Sequence, residues 1–449
     1  MCHEGINKMK YNILLTHAMI LTPDGDVLTG KNIGISGNVI KKISSDEANA
    51  DCADITIDCT GKMVMPGMID GHTHTSQQLL RGKLADEYPM IWTRFLVPFE
   101  STLTAEDVYY SALLYCIQAI KAGITGFAES GGRHMEKTVE AAVQTGMRAA
   151  IARSMMDSGT GITETMIESP EEAIEKNDEL FKRYNGSGDG RIQIYYGMRQ
   201  VMTCTPSFIS TIAEHAHERG TGIHAHLCEH KNEVSFCLEK YQMRPVALLN
   251  RCGLLGERLI TAHNVALSEH DITILSEKKV KMIHCPYANL INHGFPKTPR
   301  IIEAGGYVGL GSDGAAYNSV DLFEEMRTLR AALISYSGLP VFDPEVMPVR
   351  TMLKMATQGG AAALGMENSL GQVREGYIAD LITIDMLKPH IFPTNNYTTA
   401  LVDTVTAQDV CDSIIDGRVV MRNRKLSFVD EDAVMRECSH RMDYINSRV

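Results

Sequence analysis

Between Met63 and Ser312 short apolar runs of β character alternate with amphipathic stretches, and this alternation constrains the fold more than any other feature. Eight runs recur: Met63–Ile69, Gly123–Glu129, Arg148–Met155, Arg191–Met198, Gly222–Leu227, Leu259–His263, Val280–Cys285 and Val308–Ser312. The intervening pattern predicts helices over Ala105–Ala122, Met135–Thr145, Ser169–Tyr184 and Pro206–Arg219. The last is stopped by Gly220, because glycine accepts the left-handed conformation that ends a helix. Strand and helix in strict alternation make a parallel sheet covered by helices. Eight such units over about 300 residues fit a (β/α)8 TIM barrel, an α/β fold whose chemistry sits at the C-terminal strand ends. A doubly wound sheet is the alternative, and no Gly-x-Gly-x-x-Gly opens the first βα turn to support it.

The two ends of the chain have a different texture. From Ile13 to Asp58, β runs (Asn12–Thr16, Met19–Leu21, Asn32–Ser36, Val39–Ile43, Ile55–Asp58) are separated by turn signals such as Pro23-Asp-Gly, which predicts a small antiparallel sheet. The texture returns at Ala379–Asp385 and Ser413–Met421, with Asp416-Gly417 as a hairpin turn. One small β-sandwich domain built from both ends is therefore expected, from residues 1–65 and 369–449, the latter closing with a terminal helix. The barrel spans 66–368. Met1–Lys10 is polar, reads as an extension rather than a signal peptide, and leaves Met9 as an alternative start.

Composition narrows the partners. Acidic residues outnumber basic ones by 55 to 43, for a net charge of −12, so there is no basic footprint for nucleic acid or an anionic membrane surface. No apolar run approaches the roughly 20 residues of a membrane span. The 11 cysteines in a long chain read as reduced thiols, which places the protein in the cytoplasm with a small-molecule partner.

The 16 histidines carry the functional signal. His72-Thr-His74 follows the first run, and residues two apart in an extended segment point the same way, so both imidazoles can address one ion. His224-Ala-His226 ends the fifth run. There His226-Leu-Cys-Glu229-His230 also spells the inverted zincin pattern, but that pattern needs a helix and the flanking glycines favour a strand. His215-Ala-His217 lies on a predicted helix, where residues two apart diverge by about 200° and cannot share an ion. His263, His284 and Asp313 close the sixth, seventh and eighth runs. A barrel converges the ends of strands 1, 5, 6 and 8 on one cavity, so these polar residues are expected to meet.

The quoted segments resemble the amidohydrolase superfamily, in particular the mononuclear branch of adenosine-type, guanine and triazine aminohydrolases. The matching elements are Met65-Pro-Gly-Met-Ile-Asp-Gly-His-Thr-His74, Leu79-Leu-Arg-Gly82 with Leu84-Ala-Asp86, His226-Leu-Cys-Glu229, Thr261-Ala-His263, His284-Cys-Pro-Tyr-Ala-Asn289, Gly311-Ser-Asp-Gly-Ala-Ala316 and Gly371–Asp380. The resemblance implies that His72, His74, His226 and Asp313 bind one divalent ion. It further implies that Glu229 and His263 serve the chemistry. Binuclear members bridge two ions with a Lys or Glu from the fourth strand, and Arg191–Met198 contains neither. The N/O ligand set suits Zn²⁺, and Fe²⁺ would accept it.

The implied reaction is hydrolytic removal of an exocyclic amine from a purine, nucleoside, pterin or triazine. A metal lowers the pKa of its water to roughly 7. Asp313 would take the water proton, Glu229 would protonate the ring nitrogen, and His263 would orient the nucleophile and stabilise the adduct. The alternatives are loss of chloride or an alkylamine from a triazine at the same site, and a metal-free scaffold, which would have lost ligands. For the substrate, Glu100 lies near the position where nucleoside-directed relatives carry a carboxylate for the ribose. Arg199 replaces an expected His-x-Pro-Tyr stretch, and as a forked cation it points to oxidised purines, pterins or triazinones rather than methylthioadenosine or adenosylhomocysteine. Arg81, Trp92 and Asn289 complete the expected substrate contacts, and relatives of this kind are homo-oligomers. His224 and His284 are expected to line the cavity, and the other ten histidines to be ordinary.

Overall fold

The computed structural model describes residues 10–45, 53–84, 87, 91–343 and 345–446. Met9 as a start, and Ala85 and Asp86 of the Leu84-Ala-Asp86 motif, lie outside the described residues. The chain begins with β1 (Tyr11–Leu21), β2 (Val27–Ser36), β3 (Val39–Ser44), β4 (Ala53–Asp58) and β5 (Lys62–Pro66). The barrel strands are β6 (Met68–Thr73), β7 (Ile124–Glu129), β8 (Arg148–Met155), β9 (Ile192–Met198), β10 (Ile223–Leu227), β11 (Leu259–His263), β12 (Lys281–His284) and β13 (Tyr307–Leu310). The chain returns through β14 (Leu381–Asp385), β15 (Val410–Ile415), β16 (Arg418–Arg422) and β17 (Lys425–Leu426).

β6 to β13 form one eight-stranded parallel sheet in sequence order, the (β/α)8 barrel. Its seam is drawn together where the Asp313 N–H donates to the His72 carbonyl at 3.0 Å. Gly311 makes this approach possible, because a Cβ there would lie 2.7 Å from the His72 carbonyl oxygen. Asp70 adds a second pin: its Oδ1 accepts from the Ser312 N–H at 2.9 Å, and its Oδ2 from the Ser312 hydroxyl at 2.6 Å and Tyr115 at 2.9 Å. Helices follow the strands with the expected caps. Ala105–Lys121 starts from a Thr104–Asp107 capping box, and Pro206–Arg219 ends at Gly220 with φ +66°.

The second sheet has the order β17-β16-β15-β14-β5-β1-β2-β3, with β4 beside β1, and so interleaves both chain ends. It is mixed rather than antiparallel, because β1 pairs in parallel with both β4 and β5. The expected hairpin is present. Asp416 and Gly417 take φ +51° and +69° between β15 and β16, as a two-residue turn of that hand requires. The run Met63–Ile69 is not one strand: Pro66 ends β5 in the second sheet, and Met68 begins β6 in the barrel. The second sheet encloses its own core of Ile13, Leu15, Ile33, Ile35, Ile57, Leu381 and Ile414. Buried Arg148 of β8 ties the two sheets together, donating to Asp380 at 2.8 and 3.2 Å and to Asp416 at 3.2 Å. The terminal helix Glu431–Asn446 lies on the helix Ala105–Lys121, with Arg441 donating to Asp107 at 3.1 Å.

Candidate metal centre and active site

Five buried side chains meet at the C-terminal end of the barrel: His72 and His74 from the end of β6, His226 from β10, His263 from β11, and Asp313 after β13. Their ligand atoms form two overlapping groups, His72, His74 and Asp313, and His72, His226 and His263, each within 4.8 Å. The backbone at the rim is unusual: His263 and Asp313 hold positive φ of 73° and 57°. Non-glycine residues rarely adopt this region, and it aims both side chains inward off the strand ends.

The nitrogens facing away from the cluster fix what the facing nitrogens can do. His226 Nδ1 donates to the Arg199 carbonyl at 2.8 Å, which leaves the Nε2 lone pair free. His72 Nδ1 meets His224 Nε2 at 2.9 Å, and His74 Nδ1 meets the Ser130 hydroxyl at 3.1 Å. His263 has the opposite polarity. The Cys285 N–H donates to Asn289 Oδ1 at 3.1 Å, so Asn289 Nδ2 is a donor, and His263 Nδ1 accepts from it at 2.9 Å. His263 therefore carries its hydrogen on Nε2 and presents a donor to the site.

A divalent cation fits this arrangement. His74 Nε2 and His226 Nε2 face each other at 3.3 Å, His72 Nε2 is buried without a hydrogen-bond partner, and the Asp313 carboxylate lies 3.3 Å from His72 and 3.6 Å from His74. Burial pushes the His72 pKa down to about 3 and holds His74 and His226 well below the usual imidazole range, so the three remain neutral ligands at pH 7. Burial raises Asp313 to about 6.

Beside the cluster opens a cavity of about 580 Å³ lined in part by Trp92, Glu229, His230, His293, Phe295 and Tyr317. Glu229 follows β10 on a loop clamped by Glu233, whose carboxylate accepts from the Cys228 N–H at 2.9 Å and the Glu229 N–H at 3.0 Å. Its own oxygens are both engaged: Oε2 accepts from Gln200 at 2.6 Å, while Oε1 lies 3.0 Å from His293 Nε2 and 4.0 Å from His263 Nε2. Burial works against the Glu229 carboxylate, and His263 and His293 outweigh it, holding its pKa well below the ordinary range. A model of the amidohydrolase family matches residues 63–420.

The chain belongs to the amidohydrolase family.

Amidohydrolase relatives match it almost end to end. It is 36% identical over 439 residues to a 5-methylthioadenosine/S-adenosylhomocysteine deaminase of Pelotomaculum thermopropionicum, covering 96% of this chain and 98% of the relative. It is 36% identical over 433 residues to a 5′-deoxyadenosine deaminase of Methanosarcina acetivorans, covering 95% and 96%. Among solved structures, a zinc-bound adenosine deaminase from Xanthomonas campestris superposes with a TM-score of 0.90 at 26% identity, covering 98% and 99%. The zinc complex of atrazine chlorohydrolase from Arthrobacter aurescens gives 0.87 at 21%, covering 96% and 100%, a likeness of fold.

In this amidohydrolase several expected substrate contacts take other positions. Arg199 and Glu100 bind each other, Nη1 to Oε2 at 2.9 Å, with 4% and 1% of their surfaces exposed; Gln77 donates to the second Glu100 oxygen at 2.7 Å. Each thus already holds a partner here, and a buried charge is kept by the group that neutralises it. Arg81 turns away from the cavity to donate to Gln78 at 3.2 Å and Gln118 at 2.7 Å. Asn289 is buried beneath His263 and orients it rather than facing the cavity. Trp92 lines the cavity wall from a wide helical turn, Trp92–Leu96. His284 is buried behind the cluster, against Thr298 at 3.1 Å. The ten histidines read as ordinary include two on the cavity wall, His230 and His293, and both stand in segments that follow a barrel strand end. That position was the available signal, since such loops build the active face of a barrel.

Proposed function

We propose that this amidohydrolase is a metal-dependent hydrolytic deaminase that removes the exocyclic amine of an adenosine-type nucleoside as ammonia. The observation that carries the reading is Glu229, gripped by Gln200 and His293 on the wall of a cavity that opens beside the His/Asp cluster. His72, His74, His226 and Asp313 would hold one Zn²⁺. When bound, such an ion lowers the pKa of water to roughly 7 and so makes a nucleophile available at neutral pH. Asp313 receives the proton that water gives up on attack. Glu229 delivers a proton to the ring nitrogen, which keeps the tetrahedral adduct from carrying an anion there. His263 donates from Nε2 to the new oxygen. Trp92, Phe295 and Tyr317 cover the heterocycle and exclude bulk water.

An adenosine-type substrate is favoured over oxidised purines, pterins and triazinones for two reasons. The names of full-length relatives specify adenosine derivatives, and the cation that argued for carbonyl recognition, Arg199, is committed to Glu100. We read the protein as a cytoplasmic homo-oligomer. The nine described cysteines are all free, and among the described residues no helix is long and apolar enough to cross a membrane.

The test is elemental analysis together with an ammonia-release panel of adenosine, 5′-deoxyadenosine, methylthioadenosine, adenosylhomocysteine, guanine, pterins and triazines. One zinc per chain and ammonia from the adenosine derivatives are expected. Ammonia from pterins or guanine alone would overturn the substrate, and chloride or alkylamine from triazines with no ammonia would overturn the reaction.

A further inference from the structure

His293 stands at the end of the helix Pro286–Asn292, 15% exposed at its side chain, with Nε2 3.0 Å from Glu229 Oε1. The groups that face it come from every neighbouring loop: Glu229, His230 and Lys231 after β10, His263 at the end of β11, and Asp313 after β13. Its ring lies 5.7 Å from that of His230, and His230 has no hydrogen-bond partner on either buried nitrogen. Among the described residues, Glu229 is thus the acceptor that His293 Nε2 reaches, at 3.0 Å.

We propose that His293 is the proton partner of Glu229: a positioning residue that lends the proton Glu229 passes to the ring nitrogen and takes one back at the end of each turnover. The proposal rests on the deaminase reading above. A carboxylate held well below its ordinary pKa arrives at the substrate ionised and has no proton of its own to give. Burial lowers the His293 pKa, but the Glu229 charge outweighs burial and raises it, so the imidazolium persists to higher pH than a free histidine. On attack the C–O bond forms, water gives one proton to Asp313, and the ring nitrogen takes the proton that Glu229 draws from His293 Nε2. Collapse breaks the C–N bond, and the Asp313 proton departs with the amine as ammonia. The hydroxyl proton of the adduct returns to the Glu229–His293 pair as the carbonyl forms. The two hydrogens of water are then accounted for, one in ammonia and one replacing the proton that His293 lent.

Two measurements on the zinc-loaded protein test this. In the first, the His293 ring is titrated by nitrogen NMR in wild type and in Glu229→Gln, a readout that needs no turnover. Its proton affinity is expected to fall about tenfold or more in the variant when the facing charge is removed; an unchanged titration overturns the pairing. In the second, kcat is followed against pH for wild type, His293→Gln and His293→Ala, each checked for zinc content and melting temperature. The wild-type rate should fall at alkaline pH as His293 loses its proton. His293→Gln should lose about tenfold or more in kcat with little change in KM, and should lose that alkaline limb. Added imidazole should restore part of the His293→Ala rate. A folded His293→Gln enzyme with wild-type kcat and an intact alkaline limb overturns the proposal. Should wild type release ammonia from no substrate, the deaminase reading fails, and the NMR titration still decides whether the pair exists.

Discussion

On the floor of the site each of the four imidazoles is held at its Nδ1: His72 by His224, His74 by Ser130, His226 by the Arg199 carbonyl and His263 by Asn289. On the cavity wall Glu229 is gripped by Gln200 and His293, but beside it both His230 nitrogens and the Trp92 Nε1 are buried without a hydrogen-bond partner. The floor side chains stand at or just beyond strand ends, and the wall is built from helix ends and loops. The difference separates two tasks. A metal centre needs fixed geometry before anything binds, whereas a wall with open donors can be completed by the substrate.

The contrast can be broken at the floor first. His226→Ala should abolish zinc binding, measured by elemental analysis, and lower activity by more than about a thousandfold, because the ion's nucleophile is lost with it. Glu229→Gln should keep zinc and lose about 10²- to 10⁴-fold in kcat, the range for a positioned acid; a metal-replete variant of near-normal activity would remove Glu229 from its role. Beneath the floor, Glu100→Ala leaves Arg199 buried and unpaired, and denaturant unfolding should show a loss of about 3–5 kcal/mol. Asn289→Ala should release His263 to the other tautomer and cost about 10- to 100-fold in activity with zinc content unchanged. The unpartnered wall group should respond least: His230→Ala is expected to raise KM by about twofold to tenfold while zinc content, melting temperature and kcat hold, the pattern for a group that serves binding alone.

What could be read from the sequence follows the same division. His72, His74, His226 and His263 sit at or beside the ends of apolar runs, where strand geometry dictates direction, so their convergence follows from spacing and topology. The helix Pro206–Arg219 was legible at its end from Gly220, and the structure adds the Thr205 cap at its start. Loop residues carry no such rule. The path of the segment after β12 decides that Asn289 points beneath His263 while His293, four residues on, reaches Glu229, and no periodicity encodes that path. The Arg199–Glu100 pair joins positions 99 residues apart, and only the closed barrel reveals that two expected substrate contacts satisfy each other. The run Met63–Ile69 misled for another reason: strands buried in either sheet are apolar, so the sequence carries no hydrophobic break where the chain changes sheets at Pro66.

Arg148 makes the burial of an early barrel strand depend on residues from the far end of the chain. It leaves the ribosome among the first third of the chain, yet Asp380 and Asp416, which neutralise it, are translated more than two hundred residues later. Until they emerge, β8 carries a guanidinium that cannot be buried without heavy cost, and β5 lacks the β14 neighbour on its far edge. The C-terminal return thus supplies both the charge that lets Arg148 be buried and the strand that covers the free edge of β5.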